Sequence, residues 1–422
     1  MTRILDATVS FKSQRLITPL QLSSGAIESL TEAVASVTVE IDGRRATGQG
    51  AIYLSDLWAW PDDSISHEQR DAVLRRLCEM IALDLPKHFR QESWHPLELG
   101  LRIHDLACDT LSIAPSPSVL ARAMCGSPFD AAIHDGAGIA LGRSAFALYE
   151  DSAAIPSADR YFPQTGASQA IADVIQRPRL ELPAWYIVSK DDALDATLKP
   201  AIQRCGYRCL KLKLTGRDND ADVDRTCAVY RSARACGVRA PRLTVDTNEA
   251  NPSAESVLDY LQRLEATDGD AYAALEYLEQ PTSRDIQTSA FDWREVARRK
   301  PVLLDEGLSD LTLLGESHAQ GYSGLALKTC KGHSMLLVAA AWARQHKMLI
   351  SLQDLTNPGL ALIHGALVGS HLPTINGAEL NSPQFTPAAN AQFIPRLPEL
   401  FEPRGGVHRL PLTVPLGLGS TM

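Results

Sequence analysis

Apolar and polar residues alternate along two runs near the start of the chain, which is the period of half-buried β-strands. The runs are Ile4–Phe11 and Val37–Ile41, and Asp42-Gly43 after the second run is a strong hairpin signal. Two later segments, Ser66–Leu85 and Ser118–Leu141, place apolar residues three and four positions apart and predict helices. Strands followed by helices indicate an α+β domain, which we assign to residues 1–160.

From about Leu182 the pattern changes to short apolar runs that alternate with helical segments such as Ala221–Cys236 and Ser334–Gln345. Eight of these runs predict strands: Ala184–Val188, Cys209–Leu214, Leu243–Asp246, Leu275–Leu278, Val302–Leu304, Gly324–Leu327, Met348–Leu352 and Gly377–Leu380. Eight strands joined by helices predict an α/β fold of the (β/α)₈ TIM-barrel type over residues 161–382. The tail, residues 383–422, is rich in Pro and Gly and predicts an irregular return to the first domain.

Composition and charge narrow the class of protein. A chain of 422 residues exceeds a typical single domain, and 45% hydrophobic with 22% charged residues is ordinary for a globular protein. The net charge of −9 disfavours a nucleic-acid partner. The cysteines form no CxxC pair, no signal-peptide pattern opens the chain, and no apolar run approaches the ~20 residues of a membrane span. We therefore expect a cytoplasmic protein with reduced thiols that binds neither nucleic acid nor membrane.

Acidic and lysine side chains recur at the ends of the predicted barrel strands. They are Lys211 and Lys213, then Asp246 and Asn248, Glu279 in Glu-Gln-Pro, Asp305 with Glu306, and Lys328. Successive members are separated by roughly one βα unit of about 30 residues. Because the carboxyl ends of barrel strands meet at one mouth, each strand is expected to deliver one functional group to a common site.

The residue types indicate a metal-assisted proton transfer. Asp246, Glu279 and Asp305 offer the hard oxygen ligands that suit Mg²⁺. A divalent ion beside a carboxylate stabilises the enolate that forms when an α-proton leaves. A lysine whose pKa is lowered by the cation and by burial can act as the base. Each motif alone is ordinary turn or strand-end chemistry, but the ordered set predicts a functional site.

On these motifs the chain resembles the enolase superfamily, within it the mandelate racemase/muconate-lactonizing-enzyme family, and most closely the muconate-lactonizing-enzyme subgroup. The resemblance implies that Lys213 and Lys328 are the acid/base pair on opposite faces of the substrate. It places Lys211 near the substrate carboxylate and implies that Asp246, Glu279 and Asp305 are metal ligands. Asn248 and Glu306 are expected to lie just behind those ligands. The segment Ser127–Gly138 also resembles a helix of the family's capping domain.

Four departures from the family pattern shape the expectations. Ala51 replaces the usual acid after Gly48-Gln-Gly50. Strand seven ends in Gln353-Asp354 without a His-Asp dyad, which favours lysine–lysine chemistry. Strand eight carries Glu379 without the Asp-x-Asp that dipeptide epimerases use to hold an ammonium group, which disfavours a dipeptide substrate. Lys331-Gly-His-Ser334 replaces the glycines that usually follow the strand-six lysine, which affects contacts to the substrate carboxylate.

Substrate selectivity in the family comes from capping-domain loops, which here correspond to Thr18–Leu22 and Tyr53–Trp60. The candidates for substrate contact are Trp58, Trp60, Asp354 and Glu379. The tryptophans suit an apolar or cationic group, although they can equally fasten the cap to the barrel. His134 and Asp135 lie on the predicted cap helix and are expected to be structural.

The sequence therefore predicts a Mg²⁺-dependent enzyme, with Mn²⁺ as an alternative ion, that removes the α-proton of a small carboxylate substrate. A racemase or epimerase of an amino-acid-like or N-substituted acid is the first choice. β-Elimination, as in a dehydratase or o-succinylbenzoate synthase, and cycloisomerisation remain open, as does a non-catalytic sensor that binds metal and acid. A zinc hydrolase is disfavoured because no histidine lies at a strand end. Members of the family are commonly homo-oligomers, and we expect the same here.

Overall fold

An antiparallel sheet backed by helices forms the N-terminal part of the chain, in a computed structural model that describes residues 1–22, 25–150 and 152–422. The sheet has the order β1-β2-β3. Its strands are β1 (Thr2–Leu22), β2 (Gly25–Ile41) and β3 (Arg44–Leu54). The helices that follow are α1 (Asp56–Ala59), α2 (His67–Phe89), α3 (Pro96–Asp105) and α4 (Val119–Leu141). Both predicted helices are confirmed, and α2 begins at a reciprocal capping box between Ser66 and Gln69.

The first hairpin is longer than the alternation predicted. Asp42 and Gly43 both adopt positive φ, as the two central residues of a tight hairpin turn do, and Thr2 pairs with Ile41. Pairing continues to Leu22 and Gly25. The segment Thr18–Leu22, which we expected as a loop, is therefore the end of a strand. The pairing is irregular between Arg15 and Leu20, and the buried Leu16 and Leu20 follow a polar run, so the alternation that predicted the first strand does not continue to its end.

Helix α4 packs directly on the sheet because two glycines of β3 allow close approach. A Cβ at Gly48 would lie 2.1 Å from the carbonyl oxygen of Ala132, and one at Gly50 would meet that of Pro128 at the same distance. The Gln49 N–H donates to Asp135 over 2.9 Å. The Gly48-Gln-Gly50 motif and Asp135 thus join the sheet to its helix, which agrees with the structural role expected for Asp135.

A curled parallel sheet surrounded by helices forms the larger part of the chain, with the order β11-β10-β9-β8-β7-β6-β5. Its strands are β5 (Trp185–Val188), β6 (Cys209–Lys213), β7 (Arg242–Asp246), β8 (Leu275–Glu279), β9 (Val302–Leu304), β10 (Gly324–Lys328) and β11 (Leu349–Gln353). The helices of this part are α5 (Pro156–Asp159), α6 (Ala167–Val174), α7 (Leu198–Cys205), α8 (Asn219–Ala235), α9 (Ala254–Thr267), α10 (Gly269–Ala274), α11 (Arg294–Ala297), α12 (Leu313–Ala319), α13 (His333–Gln345) and α14 (Gly359–His371). Among the described residues, no helix is long and apolar enough to cross a membrane. The predicted α/β class and its parallel sheet are confirmed.

The eighth predicted strand, Gly377–Leu380, is an extended segment rather than a regular strand. The backbone N–H of its neighbour Ile375 donates to the Ile350 carbonyl over 2.8 Å, and the backbone N–H of Glu379 donates to the Leu352 carbonyl over 3.0 Å. The side-chain amide of Asn376 forms two hydrogen bonds with the backbone of Leu352, accepting from its N–H and donating to its carbonyl. These bonds take the place of a backbone pair of a regular strand. The positive φ of Gly377 interrupts the strand geometry. The segment nevertheless lies beside β11 and brings Glu379 to the barrel mouth.

The C-terminal segment contacts both parts of the fold. Two more strands, β4 (Glu181–Pro183) and β12 (Val407–Arg409), pair antiparallel, and the last helices are α15 (Ser382–Phe385) and α16 (Pro398–Phe401). Further along, Gly417 forms an isolated β-bridge with Ser144, and the Leu418 N–H donates to the Asp135 carboxylate over 2.8 Å. The final residues therefore pack against α4.

A buried chain of hydrogen bonds joins α4 to the helices that follow β10 and β11. Tyr149 bonds His134 at 2.8 Å and His333 at 2.6 Å through its hydroxyl, and His333 bonds His364 at 2.9 Å. At the other end, His134 bonds Ser334 at 2.9 Å. All of these side chains are buried. The placement of His134 agrees with its expected structural role.

We expect the free energy of unfolding to rise with pH between about 4 and 6.5 because this chain of hydrogen bonds contains the buried His364. Burial lowers the pKa of His364 to about 4, with His134 adding to the effect and Asp130 opposing it. In that pH window the unfolded chain binds more protons than the folded one, so acidification costs up to about 3 kcal/mol. Urea unfolding of wild type and His364→Gln across this range measures the effect. A slope that His364→Gln leaves unchanged, as the exposed control His88→Gln should, would contradict the assignment.

Candidate active site

The carboxyl ends of the parallel strands bring the predicted site residues to one level. Lys213 pairs in register with Asp246, and Asp246 pairs with Glu279. On the far side, Lys328 pairs with Gln353. Since side chains two residues apart on a strand share a face, Lys211 points the same way as Lys213. The sheet thus places lysines on β6 and β10 with acids from β7, β8 and the end of β9 between them.

Lys211 lies among three carboxylates. Its Nζ atom is 2.8 Å from both oxygens of Glu279, 3.2 Å from Glu379 and 3.5 Å from Asp246. Burial opposes the charge, but these acids outweigh it and raise the pKa of the Lys211 ammonium. The side chain therefore remains a cation that holds the acids together, which suits an orienting role better than that of a base.

Lys213 contacts a single acid. Its Nζ atom is 2.5 Å from Asp246 Oδ2 and 3.1 Å from the side-chain oxygen of Asn248. Asn248 adopts a positive φ of 44°, a strained conformation of the kind that clusters at functional sites. Its N–H donates to Asp246 over 2.8 Å. Asn248 thus orients both the predicted ligand and the predicted base.

Lys328 approaches the acids from the opposite side. Its Nζ atom is 3.0 Å from Asp305 Oδ2, 3.8 Å from Glu279 and 2.6 Å from the amide oxygen of Gln353. We predicted a lowered lysine pKa, but here burial is outweighed by Asp305 and Glu279, and the pKa of Lys328 is raised. The cause is the charge of those carboxylates, which a bound divalent cation would offset.

The Glu-Gln-Pro motif also has a structural function. Gln280, at a positive φ of 33°, accepts hydrogen bonds from the N–H groups of Asp305 and Gly307 through its side-chain oxygen. The distances are 2.9 and 3.1 Å. The amide therefore fixes the turn after β9 that presents Asp305.

Trp58 fastens the N-terminal domain over the barrel. Its indole N–H donates to Glu306 over 2.8 Å, and its ring centroid lies 5.5 Å from the Lys328 ammonium. Arg284 bonds the Trp58 carbonyl at 3.0 Å. Burial and the nearby Asp305 raise the pKa of Glu306 to about 8. Trp58 thus fulfils the fastening role and lines the site, whereas Trp60 packs in the core of the N-terminal domain and does not reach the cavity.

A reaction cavity of about 500 Å³, counting its open side, lies above these groups. The first hairpin contributes apolar side chains to its wall, and the carboxyl ends of the parallel strands contribute most of the polar ones. The apolar members are Leu20, Ile27, Leu30, Trp58, Ile187 and Leu355. The polar members include Lys213, Asp246, Asp305, Lys328, Asp354, Thr356, Glu379 and Asn381. Both predicted substrate-contact acids, Asp354 and Glu379, therefore face the same space as the two lysines.

Those two acids differ in how they are held. Glu379 accepts from Lys211 and, over 3.0 Å, from the Tyr277 hydroxyl. Asp354 accepts backbone bonds from Thr356 and Asn381. Burial raises the pKa of Asp354 to about 7.

Two residues that contact the predicted site residues were not predicted from the sequence to do so. Gln353 bridges Lys328 and Glu279, and Lys331, which is 2% exposed, lies 3.1 Å from Asp305 Oδ1 and bonds the Asp305 carbonyl. Both occur in segments that we treated as departures from the family pattern. The sequence signal that could have identified them is their position, since Gln353 directly follows the predicted strand Met348–Leu352 and Lys331 lies three residues after Lys328.

We expect Lys331→Met to lower the free energy of unfolding by about 3 kcal/mol in metal-free protein. Removing one partner of a buried ion pair leaves the other charge uncompensated, and Asp305 would retain only Lys328. Urea unfolding measures the loss, with the exposed Lys347→Met as the matched control. Equal stability of the two variants would show that Lys331 does not hold Asp305.

The charges of the site fit a divalent cation. Six buried or cavity-facing carboxyl groups meet four lysines, which leaves two more acids than ammonium groups; the acids are Asp246, Glu279, Asp305, Glu306, Asp354 and Glu379. Among the described residues, Glu306 Oε2 is buried without a hydrogen-bond donor, and Asp305 Oδ1 has the Lys331 ammonium at 3.1 Å but accepts no hydrogen bond. In the part of the chain that the structure describes, however, no three acid, histidine or cysteine side chains are gathered closely enough to hold a metal. The donor set therefore fits Mg²⁺, but Lys211 lies among the acids and must shift for them to converge.

Comparisons with known proteins agree with this architecture. Residues 193–422 match the family model described as enolase C-terminal domain-like. Comparison with curated proteins gives no match. Among solved structures, muconate lactonizing enzyme from Pseudomonas fluorescens complexed with muconolactone is similar with a TM-score of 0.68 and 18% identity, over 99% of this chain and 96% of that one.

Two further structures show the same likeness. A dipeptide epimerase from Enterococcus faecalis V583 complexed with Mg and the dipeptide L-Leu-L-Tyr has a TM-score of 0.67 and 14% identity, over 99% of each chain. An N-succinyl Arg/Lys racemase from Bacillus cereus ATCC 14579 has a TM-score of 0.63 and 18% identity, over 90% of this chain and 88% of that one. At such low sequence identities these structures show only that the fold is similar, but the family model covers more than half of the residues of this chain. The chain therefore belongs to the enolase superfamily, whose members are isomerases or lyases.

Proposed function

We propose that the protein is a Mg²⁺-dependent racemase or epimerase of an amino-acid-like or N-substituted carboxylic acid. The observation that supports it most directly is the placement of Lys213 and Lys328. They face one cavity from strands β6 and β10, on opposite sides of Asp246, Glu279 and Asp305. A proton can then leave one face of an α-carbon and return to the other. The solved relatives named as epimerase and racemase are consistent with this reaction.

In this proposal the three acids hold Mg²⁺, for which Mn²⁺ could substitute. The bound ion supplies electrostatic stabilisation of the negative charge that develops as the α-proton leaves. Lys211 orients the substrate carboxylate, while Asn248 and Gln280 keep Asp246 and Asp305 in place. Trp58 and the apolar wall exclude water from the reacting carbon.

Solvent exchange tests the reaction. The protein with Mg²⁺ is incubated in D₂O with enantiopure N-acyl and N-alkyl amino acids, dipeptides and sugar acids, and products are followed by NMR and chiral chromatography. We expect recovered acid with deuterium at the α-carbon and inverted configuration. Loss of water without inversion would replace the racemase by an elimination, and ring closure would indicate a cycloisomerase. Absence of α-exchange from every acid would favour a non-catalytic binding protein.

A further inference from the structure

A second cavity, which we call the side cavity, opens next to the predicted base. Counting its open side it measures about 560 Å³. Gln21, Lys190, Lys213, Leu214, Thr215, Arg217, Asn248 and Ala250 line it. Lys213 and Asn248 also line the reaction cavity, so these two side chains form a boundary that both spaces share. A ligand that reacts at Lys213 therefore lies next to the side cavity.

The side cavity is strongly cationic. Among the described residues that line it, three are basic and none is acidic, whereas four carboxylates line the reaction cavity. Lys190 and Arg217 have no acidic partner within salt-bridge distance among the described residues. Two nearby acids have other partners, since Asp192 accepts from the Ser189 N–H and Asp218 caps α8, and Asp191, the immediate neighbour of Lys190, does not line the cavity. The whole chain has a net charge of −9, so the charge of this lining is opposite in sign to that of the protein as a whole.

The turn that carries Arg217 is held rigidly. Asp222 accepts hydrogen bonds of 2.8 Å from the N–H groups of both Thr215 and Gly216. Gly216 has a φ of 67°, and a Cβ there would lie 2.9 Å from the Thr247 side chain. The tight turn therefore packs against the loop after β7. Arg217 extends from a fixed backbone, which reduces the entropy lost when it binds a ligand.

We propose that the side cavity binds a second anionic group of the substrate, through Lys190 and Arg217. The substrate is then an acid with two negative groups: one carboxylate beside the reacting α-carbon, and a distal carboxylate on the Lys213 side. This inference rests on the proposed function for the identity of the reacting end. The apolar wall of the reaction cavity accommodates the remaining, uncharged substituent.

Calorimetric titration tests the charge requirement directly. The protein is titrated, with and without Mg²⁺, against unbranched α,ω-dicarboxylates of increasing length from malonate to adipate and against the monoamide of each. Each pair differs only in the charge of one end. We expect at least one dicarboxylate to bind about tenfold more tightly than its monoamide, because an ammonium or guanidinium bonds a carboxylate more strongly than an amide.

Substitutions then test whether Lys190 and Arg217 cause the preference for the dicarboxylate over its monoamide. Lys190→Ala and Arg217→Ala should each reduce the preference for the dicarboxylate severalfold, while Lys190→Arg should retain it. Arg239→Ala is the matched control, because Arg239 is an exposed arginine that lines a cavity at the opposite end of the barrel. Equal binding of acid and monoamide, a preference that both alanine variants retain, or no binding of any dicarboxylate would each overturn the proposal.

Failure of the subsite is distinguishable from failure of the proposed reaction. If dicarboxylate preference depends on Lys190 and Arg217 but no acid exchanges its α-proton, the subsite stands and the racemase is wrong. If α-exchange occurs and neither residue affects acid selectivity, the reaction stands and the subsite is wrong.

Discussion

Lys213→Ala and Lys328→Ala should each abolish proton abstraction from one enantiomer of the substrate while sparing exchange at the other. The reason is the position of the two ammonium groups on opposite sides of the acid cluster, each facing the same cavity. Loss of a general base typically costs about 10²- to 10⁴-fold in rate. Racemisation, which needs both lysines, should fall by that factor in either variant. NMR in D₂O with each enantiomer separately measures the exchange.

The control for this experiment is Lys199→Ala, which removes a half-buried lysine paired with Asp195 outside the barrel mouth. Circular dichroism should show that all three variants are folded. If one lysine variant lost exchange of both enantiomers and the other lost neither, a single base would serve both faces. Such a result would contradict the two-lysine mechanism and favour an elimination or a one-sided reaction.

Much of the site was predictable because each strand end contributes a polar side chain after an apolar run. Asp246, Glu279 and Lys328 follow such runs, and parallel pairing brings them to one level whatever the loops do. Their spacing by single βα units made the convergence inferable from one sequence. The roles of these residues remain predictions that the proposed experiments test.

The contacts between the site residues were not predictable in the same way. The position of Lys211 among three acids depends on Glu379, which lies on the irregular eighth segment. Gln353 and Lys331 are polar residues next to strand ends, and the same pattern is common where side chains face solvent. Their burial follows from the curvature of the sheet and from the domain above it, which the sequence of one segment does not encode.

The two tryptophans illustrate the same limit. Trp58 and Trp60 are two residues apart and were equal candidates for substrate contact. The short helix α1 turns Trp58 toward Glu306 and Lys328 and leaves Trp60 in the apolar core beside α2 and α4. Which tryptophan faced the cavity depended on this single helical turn, which is too short to show a periodic pattern.

The excess of acids over lysines gives the site a different stability with and without metal. In metal-free protein, four lysines neutralise part of the charge of six acids, and protonation meets the excess, since burial raises the pKa of Glu306 to about 8 and that of Asp354 to about 7. A divalent cation would take the place of those protons. Metal binding and folding should therefore be linked, and one acid can be chosen to separate the two effects.

Glu279→Gln should abolish stabilisation by Mg²⁺ without destabilising the metal-free protein. Glu279 lies between Lys211 and Lys328, and Lys211 keeps Asp246 and Glu379 as partners after the substitution. Burial raises the pKa of Glu279 to about 7, so its charge is already costly, and a neutral glutamine should leave the metal-free free energy of unfolding the same or higher. Removing one of three proposed ligands should weaken Mg²⁺ binding by at least about 100-fold.

Thermal and urea unfolding with and without Mg²⁺ separate these effects. At a Mg²⁺ concentration of about 100 times the dissociation constant, wild type should gain about 3 kcal/mol, and Glu279→Gln should gain almost nothing. Glu276→Gln is the matched control, because Glu276 lies on the same strand but pairs with Arg242 at the other end of the barrel. A Glu279→Gln variant that Mg²⁺ stabilises as much as wild type would contradict the assignment of Glu279 as a ligand. A variant that unfolds more easily without metal would instead show that Glu279 holds the lysines in place, and that the acid excess is compensated by the protein itself.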